Sequence, residues 1–208
     1  GGFDVVLGKP PWERIKLQEE EFFATRSIEI ATAQNKAARD KLIAQLSKAA
    51  IGSPEKLLFE EYQTEKRIAD ASSAFARIDG ADGGRFELTG IGDINTYPLF
   101  AELSLSLKSH RGRAGIIVPL GIATNETTSP FFAAIVEKKL LSSLFAFSEI
   151  KAWFAGTKDN QSFCLLTLGR SDVAEFAFRI DSWTDMSDMR RRFSLQSEAI
   201  KIINPNTK

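Results

Sequence analysis

Two adjacent prolines, Pro10 and Pro11, follow closely on a short apolar run, Phe3-Asp4-Val5-Val6-Leu7-Gly8. The run is β-branched and apolar and stops at glycine, which is the pattern of a buried strand. Proline fixes φ and removes a backbone donor, so neither a helix nor a strand ladder continues through the pair. A rigid loop, Gly8-Lys9-Pro10-Pro11-Trp12, is therefore expected at the carboxyl end of the first strand. In open α/β sheets that is where ligands sit.

From Glu13 to about Ala50 the composition changes to Ala, Glu, Lys, Gln, Arg and Leu without Pro or Gly, which predicts a helix. Gly52 ends it, and Ser53-Pro54 restarts a second helix, to about Phe75, with Ser53 as N-cap and Pro54 in the first turn. Residues 13–77 thus read as a helical hairpin inserted between strands. Between Glu13 and Arg77 there are eleven acidic and eleven basic residues, which fits a solvated face better than a DNA clamp.

Residues 78–208 read as the remaining α/β half. Gly80-Ala81-Asp82-Gly83-Gly84 predicts a loop and Asp93 to Ser109 a helix, and Gly112 and Gly115 are expected to flank a turn. Ala114–Pro119, Leu140–Ser148 and Ser162–Leu168 read as strands, and Val173–Ile180 as an edge strand. Helices are expected from Phe131 to Lys139, opened by Ser129-Pro130, and from Trp183 to Phe193. The alternation predicts an α/β fold with a mostly parallel sheet.

Composition excludes several classes. The 208 residues carry 27 Lys+Arg and 27 Asp+Glu, with 43% hydrophobic and 26% charged residues, which excludes a disordered chain and a supercharged nucleic-acid binder. One cysteine, Cys164, excludes a disulfide framework and is expected as an inert buried thiol. One histidine, His110, in a polar run, is expected in a solvated loop. Gly90-Ile91-Gly92 lacks a preceding strand and a third glycine, so it reads as a helix lead-in, and Gly8-Lys9 is followed by Pro10, so it is no Walker A motif. No stretch approaches the roughly 18–20 apolar residues of a membrane span. Gly1-Gly2-Phe3-Asp4 has neither the basic nor the apolar region of a signal peptide. A strand starting almost at residue 1 suggests a fragment.

FDVVLGKPPW resembles the strand–[N/D]-P-P-[Y/F/W] signature of the N6-adenine DNA methyltransferases of restriction–modification and phage-defence systems. Gly92-Asp93-Ile94-Asn95-Thr96-Tyr97-Pro98-Leu99-Phe100 is similar to that family's G-x-x-N-x-Y-x-x-F helix, and Gly112–Pro119 to its next strand. Phe163–Leu168 resembles its antiparallel C-terminal hairpin strand, and Asn204-Pro205-Asn206-Thr207 the segment before its DNA-recognition domain. The resemblance implies the second half of a Rossmann-like methyltransferase sheet, S-adenosylmethionine as cofactor, double-stranded DNA as partner of the full-length protein, and a cytoplasmic location. It also implies catalytic positions at Lys9, Pro10, Pro11 and Trp12. Enzymes of this family flip an adenine into a pocket. Pro10 would offer its backbone carbonyl to the exocyclic amine, Pro11 would stiffen the loop, and Trp12 would stack on the base.

The departure lies at Lys9, where the family has Asn or Asp. Lysine has three donors and no acceptor, and its charge opposes the positive charge developing on the adenine nitrogen. This chain is therefore expected not to methylate adenine. Its counterpart reading is a non-catalytic scaffold that binds DNA or a protein. The family's F-x-G-x-G cofactor motif is not found in the chain, so weak or no binding of S-adenosylmethionine is expected. Trp153-Phe154 and Lys158-Asp159-Asn160 fall in a loop that faces DNA in the family, or pack as aromatics and a polar turn. Arg190-Arg191-Arg192 contacts phosphates or forms a solvated face.

Overall fold

The computed structural model describes residues 1–77, 84–148, 153–154 and 162–203. The expectations for Gly80–Gly83, for Lys158-Asp159-Asn160 and for Asn204–Thr207 lie outside the described residues. The chain divides into two units, Arg14–Phe75 and Gly1–Glu13 with Ala76–Lys208. Among the described residues no helix is long and apolar enough to cross a membrane.

The unit Arg14–Phe75 is built on α1 (Glu19–Ala24), α2 (Ile28–Ala31), α3 (Lys36–Ser47) and α4 (Pro54–Ala76). The single helix expected from Glu13 to Ala50 is thus three shorter ones. Small polar side chains that bind nearby backbone account for the breaks. Thr32 Oγ1 donates to the Ile28 carbonyl at 2.8 Å, and Asn35 caps α3 by accepting from Ala38 N at 2.9 Å. The Ser53 hydroxyl accepts from Lys56 N at 3.2 Å, the predicted cap of α4. Phe22, Phe23, Ile30, Ile43 and Tyr62 form the core. Buried Arg39 donates to Glu20 Oε1 at 2.6 Å, and Tyr62 OH donates to Glu19 Oε1 at 2.7 Å.

The second unit is a mixed α/β structure. Its six strands are β1 (Phe3–Gly8), β2 (Lys108–Pro119), β3 (Leu141–Phe147), β4 (Phe163–Leu168), β5 (Val173–Ile180) and β6 (Phe193–Gln196), in the order β1-β2-β4-β3-β5-β6. β1 pairs parallel with β2 and β3 with β5, while β4 is antiparallel to both its neighbours and β6 is antiparallel to β5. Four of the six strands therefore point the same way. Gly8, Pro119, Phe147 and Ile180 all end at one edge, where β4 begins at Phe163. The helices are α5 (Thr96–Leu107), α6 (Gly121–Thr124), α7 (Ser129–Glu137), α8 (Trp183–Ser187) and α9 (Ser197–Ile203). Ala114, Ile116 and Val118 of β2 and Cys164, Leu166 and Leu168 of β4 join Ala101, Phe131 and Ile135 in the main core. The alternate residues Phe163 and Leu165 face the opposite side, with Phe147, Ala177 and Ile180.

Five expectations are corrected. β1 is not buried: it pairs only with β2 at the sheet's edge, and Phe3, Val5 and Leu7 are 61%, 63% and 79% exposed. β5 is not an edge strand, because β6 pairs beyond it. The helix expected from Trp183 to Phe193 stops at Ser187. Asp188 accepts from Arg190 N at 3.0 Å, a short turn follows, and the chain returns as β6. Gly112 and Gly115 lie within β2 rather than flanking a turn, and the pairing with β1 slips between Phe3↔Lys108 and Val5↔Arg113. A Cβ at Gly112 would collide with the Phe3 carbonyl oxygen, so glycine is what permits that approach. His110 consequently stands on a strand, exposed, with Nε2 at 2.8 Å from Arg170 Nη1.

Candidate functional site

Lys9, Pro10, Pro11 and Trp12 form the loop that leaves β1 at the carboxyl edge of the sheet. Pro10 is buried, Trp12 is half-buried, and Lys9 and Pro11 are exposed. Hydrogen bonds to β2 and to α5 hold this loop. Trp12 Nε1 donates to the Ile117 carbonyl of β2 at 3.3 Å. The Thr96 hydroxyl, at the first position of α5, donates to the Pro11 carbonyl at 2.7 Å and accepts from Glu13 N at 3.1 Å. Thr96 N donates in turn to the Glu13 carbonyl at 2.8 Å. No donor among the described residues meets the Pro10 carbonyl.

The Trp12 ring belongs to an aromatic group along the same edge. Phe154 meets it edge-on at 6.2 Å, and Phe163 lies tilted at 6.3 Å. Phe163 stacks on Phe147 at 4.7 Å and 10°, and Trp153 meets Phe147 edge-on at 5.2 Å. Trp153 and Phe154 are thus packed aromatics, the plainer of the two readings of that loop. Trp153 Nε1 donates to the Ser148 carbonyl at 3.2 Å. The Lys9 ammonium lies 4.7 Å from the Trp12 ring centroid and 5.1 Å from that of Phe154. A cation prefers the negative face of an aromatic ring.

The helix that carries Thr96 is capped by Asn95, which accepts from Tyr97 N at 3.3 Å. Tyr97 is buried, and that burial raises its hydroxyl above the usual tyrosine range, opposed by a hydrogen bond with the Asn125 side chain. Phe100, the last residue of the helical pattern, is 42% exposed. Residue reasoning singled out the loop and this helix but not the Thr96 clasp or the Phe147–Phe163 stack. Phe147 and Phe163 do carry a signal, an aromatic at each strand terminus on the ligand-facing edge.

The other candidates separate from this edge. Arg190 pairs with Asp188 at 2.8 Å, Arg191 with Asp185 at 2.9 Å, and Arg192 with Glu175 at 3.5 Å. Arg190 and Arg191 are exposed, which agrees with the solvated-face reading, whereas Arg192 is half-buried against β5 and its Nε meets no partner among the described residues. Cys164 is fully buried, and burial pushes its thiol well above the usual range. Among the described residues no three His, Cys, Asp or Glu side chains group as metal ligands. Gly90 is closed in by the Ala76 and Phe86 carbonyl oxygens, so it offers no open cradle for a phosphate or nucleoside.

No protein-family model matches the sequence, and none of the curated proteins matches it. Among solved structures, the methyltransferase subunit of a type I restriction-modification system from Streptococcus thermophilus is 15% identical, with a TM-score of 0.45 over 66% of this chain and 34% of its own. The type IIG restriction endonuclease BpuSI is 13% identical, with a TM-score of 0.43 over 71% of this chain and 18% of its own. A class I S-adenosylmethionine-dependent methyltransferase from Listeria monocytogenes is 18% identical, with a TM-score of 0.37 over 59% of this chain and 36% of its own. The chain spans about a third of the length of the type I proteins it resembles, 34% and 36%.

Proposed function

We propose that this chain is the base-holding part of a DNA adenine-N6 methyltransferase of the restriction–modification or defence kind, altered at Lys9 so that it does not methylate adenine. The observation that carries the reading is the loop after β1. Pro11 is held by Thr96, no donor among the described residues meets the Pro10 carbonyl, and the Trp12 ring is tied to β2 next to it. A flipped adenine needs such a preset acceptor for its amine and a ring to stack on. Stacking on Trp12 would supply roughly 1–3 kcal/mol. Pro10 presents one acceptor. Lys9 stands where a second would be needed, and it can only donate.

The test is Lys9→Asn in the full-length protein with double-stranded DNA and labelled S-adenosylmethionine. Methyl transfer to adenine is expected to appear only in the variant. Equal transfer by the unaltered protein would overturn the role given to Lys9. The Lys9–Trp12 contact favours a second reading, a non-catalytic scaffold in which the loop binds DNA or a protein partner. That reading gains if Lys9→Asn restores no transfer while DNA or protein binding depends on Trp12.

A further inference from the structure

We infer that Lys9 and Trp12 form a binding corner for a planar ring whose edge is rich in hydrogen-bond acceptors, a guanine carried on a nucleic-acid strand, in preference to an adenine. The inference rests on the reading of Trp12 as a base-stacking surface and adds what Lys9 selects there.

The backbone of the corner is fixed on both sides of the ring. Trp12 is tied to Ile117 of β2, and Pro11 is tied to Thr96 of α5. The Lys9 side chain is exposed at the mouth, and among the described residues no carboxylate pairs with it. Its ammonium rests over the rings of Trp12 and Phe154 at 4.7 and 5.1 Å. A cation–π contact at an exposed site is weak, and lysine has a long flexible stem. A stacking base can therefore displace the ammonium from the ring face to its own edge. There the chemistry discriminates. Guanine presents N7 and O6 side by side, two acceptors for a group that only donates, whereas adenine places an amine beside N7. The amine has nothing to accept it from Lys9 and turns its positive hydrogens toward the ammonium.

The experiment uses the full chain and short strands of abasic spacers that carry one central base, guanine or adenine, so that the phosphates are identical. Anisotropy of a fluorophore attached to the strand end gives both affinities, in the unaltered chain and in each variant. The guanine strand is expected to bind about tenfold tighter, the discrimination of one good base-edge contact. Lys9→Met keeps the length of the side chain at an exposed position and removes its donors. It is expected to bring the ratio to about one with an unchanged unfolding midpoint. Trp12→Leu should weaken both strands together. Equal affinities in the unaltered chain, with both lost in Trp12→Leu, would overturn the selection by Lys9 and leave the stacking surface standing. A guanine preference that survives Lys9→Met would also overturn it. No binding of either strand would overturn both readings.

Discussion

The Thr96 hydroxyl reaches the Pro11 carbonyl and Glu13 N, residues more than eighty positions away in the chain. Proline limits the conformations of its own backbone, but it does not place the loop against the sheet. Trp12 does that through its bond to Ile117 of β2, and Thr96 ties the loop to the start of α5 with two hydrogen bonds. Thr96→Val keeps the shape and the β-branch and removes both bonds, so a loss of about 1 kcal/mol is expected. Urea denaturation followed by tryptophan fluorescence measures it, and an unchanged midpoint would show that the loop is held without the hydroxyl. Cys164 makes the opposite case, a reactive group type without reactivity. It is fully enclosed in the main core, and burial disfavours its thiolate. The folded chain is expected to leave Cys164 unmodified by a thiol reagent at pH 8, with modification appearing only as the protein unfolds in denaturant. Rapid labelling under native conditions would contradict that burial.

At the level of elements, the turn between α8 and β6 depends on two carboxylates. Asp188 is held down to about 2, first by the Arg190 guanidinium and then by the Arg190 backbone N–H. Asp185 is likewise lowered, chiefly by the Ser182 hydroxyl and also by Arg191. A carboxyl group lowered on folding contributes stability that is complete above its unfolded value and is lost as pH falls through its folded value. For Asp188 that window runs from 3.8 down to about 2. Both groups are only partly shielded from solvent, which screens the interaction and keeps the effect small. Asp188→Asn should lower stability slightly at pH 5 and converge with the unaltered protein by pH 2, as followed by urea midpoints. A constant difference across that range would show that the carboxylate charge is not what holds the turn. The same turn marks where sequence reasoning stopped. Ser162–Leu168, Leu140–Ser148 and the Ser129-Pro130 helix start are legible because each is a long apolar run or a cap with a local cause. β6 has four residues and follows directly on three arginines. Only its pairing with β5 makes it a strand. The apolar run of β1 is equally legible as a strand, but its exposure follows from having β2 as its single neighbour. In the site, the Pro10-Pro11-Trp12 loop was visible as a motif. The Lys9–Trp12 contact and the Thr96 clasp were not, because each joins groups that only the tertiary fold brings together.

For the whole molecule, the 27 basic and 27 acidic residues balance to a formal net charge of zero. Under the proposed base-holding reading, the carboxyl edge offers ring stacking on Trp12 and one local cation, Lys9. The division into two units has a measurable consequence. Phe23 is fully buried in the core of Arg14–Phe75, and Leu166 is fully buried in the core of the sheet unit. Trp12, Trp153 and Trp183 all belong to the sheet unit, whereas far-ultraviolet circular dichroism follows the helices of both. Phe23→Ala removes a large ring from a small core, at a cost of about 3–5 kcal/mol, and Leu166→Ala costs about 2–5 kcal/mol. Two cores that unfold separately give non-coincident transitions by different probes. Phe23→Ala is therefore expected to lower the midpoint of a helical phase seen by circular dichroism while leaving the tryptophan transition in place. Leu166→Ala should move the tryptophan transition. If Phe23→Ala shifts both signals by the same amount, the units unfold as one cooperative body and a substitution near α1 acts on the Trp12 edge through global stability.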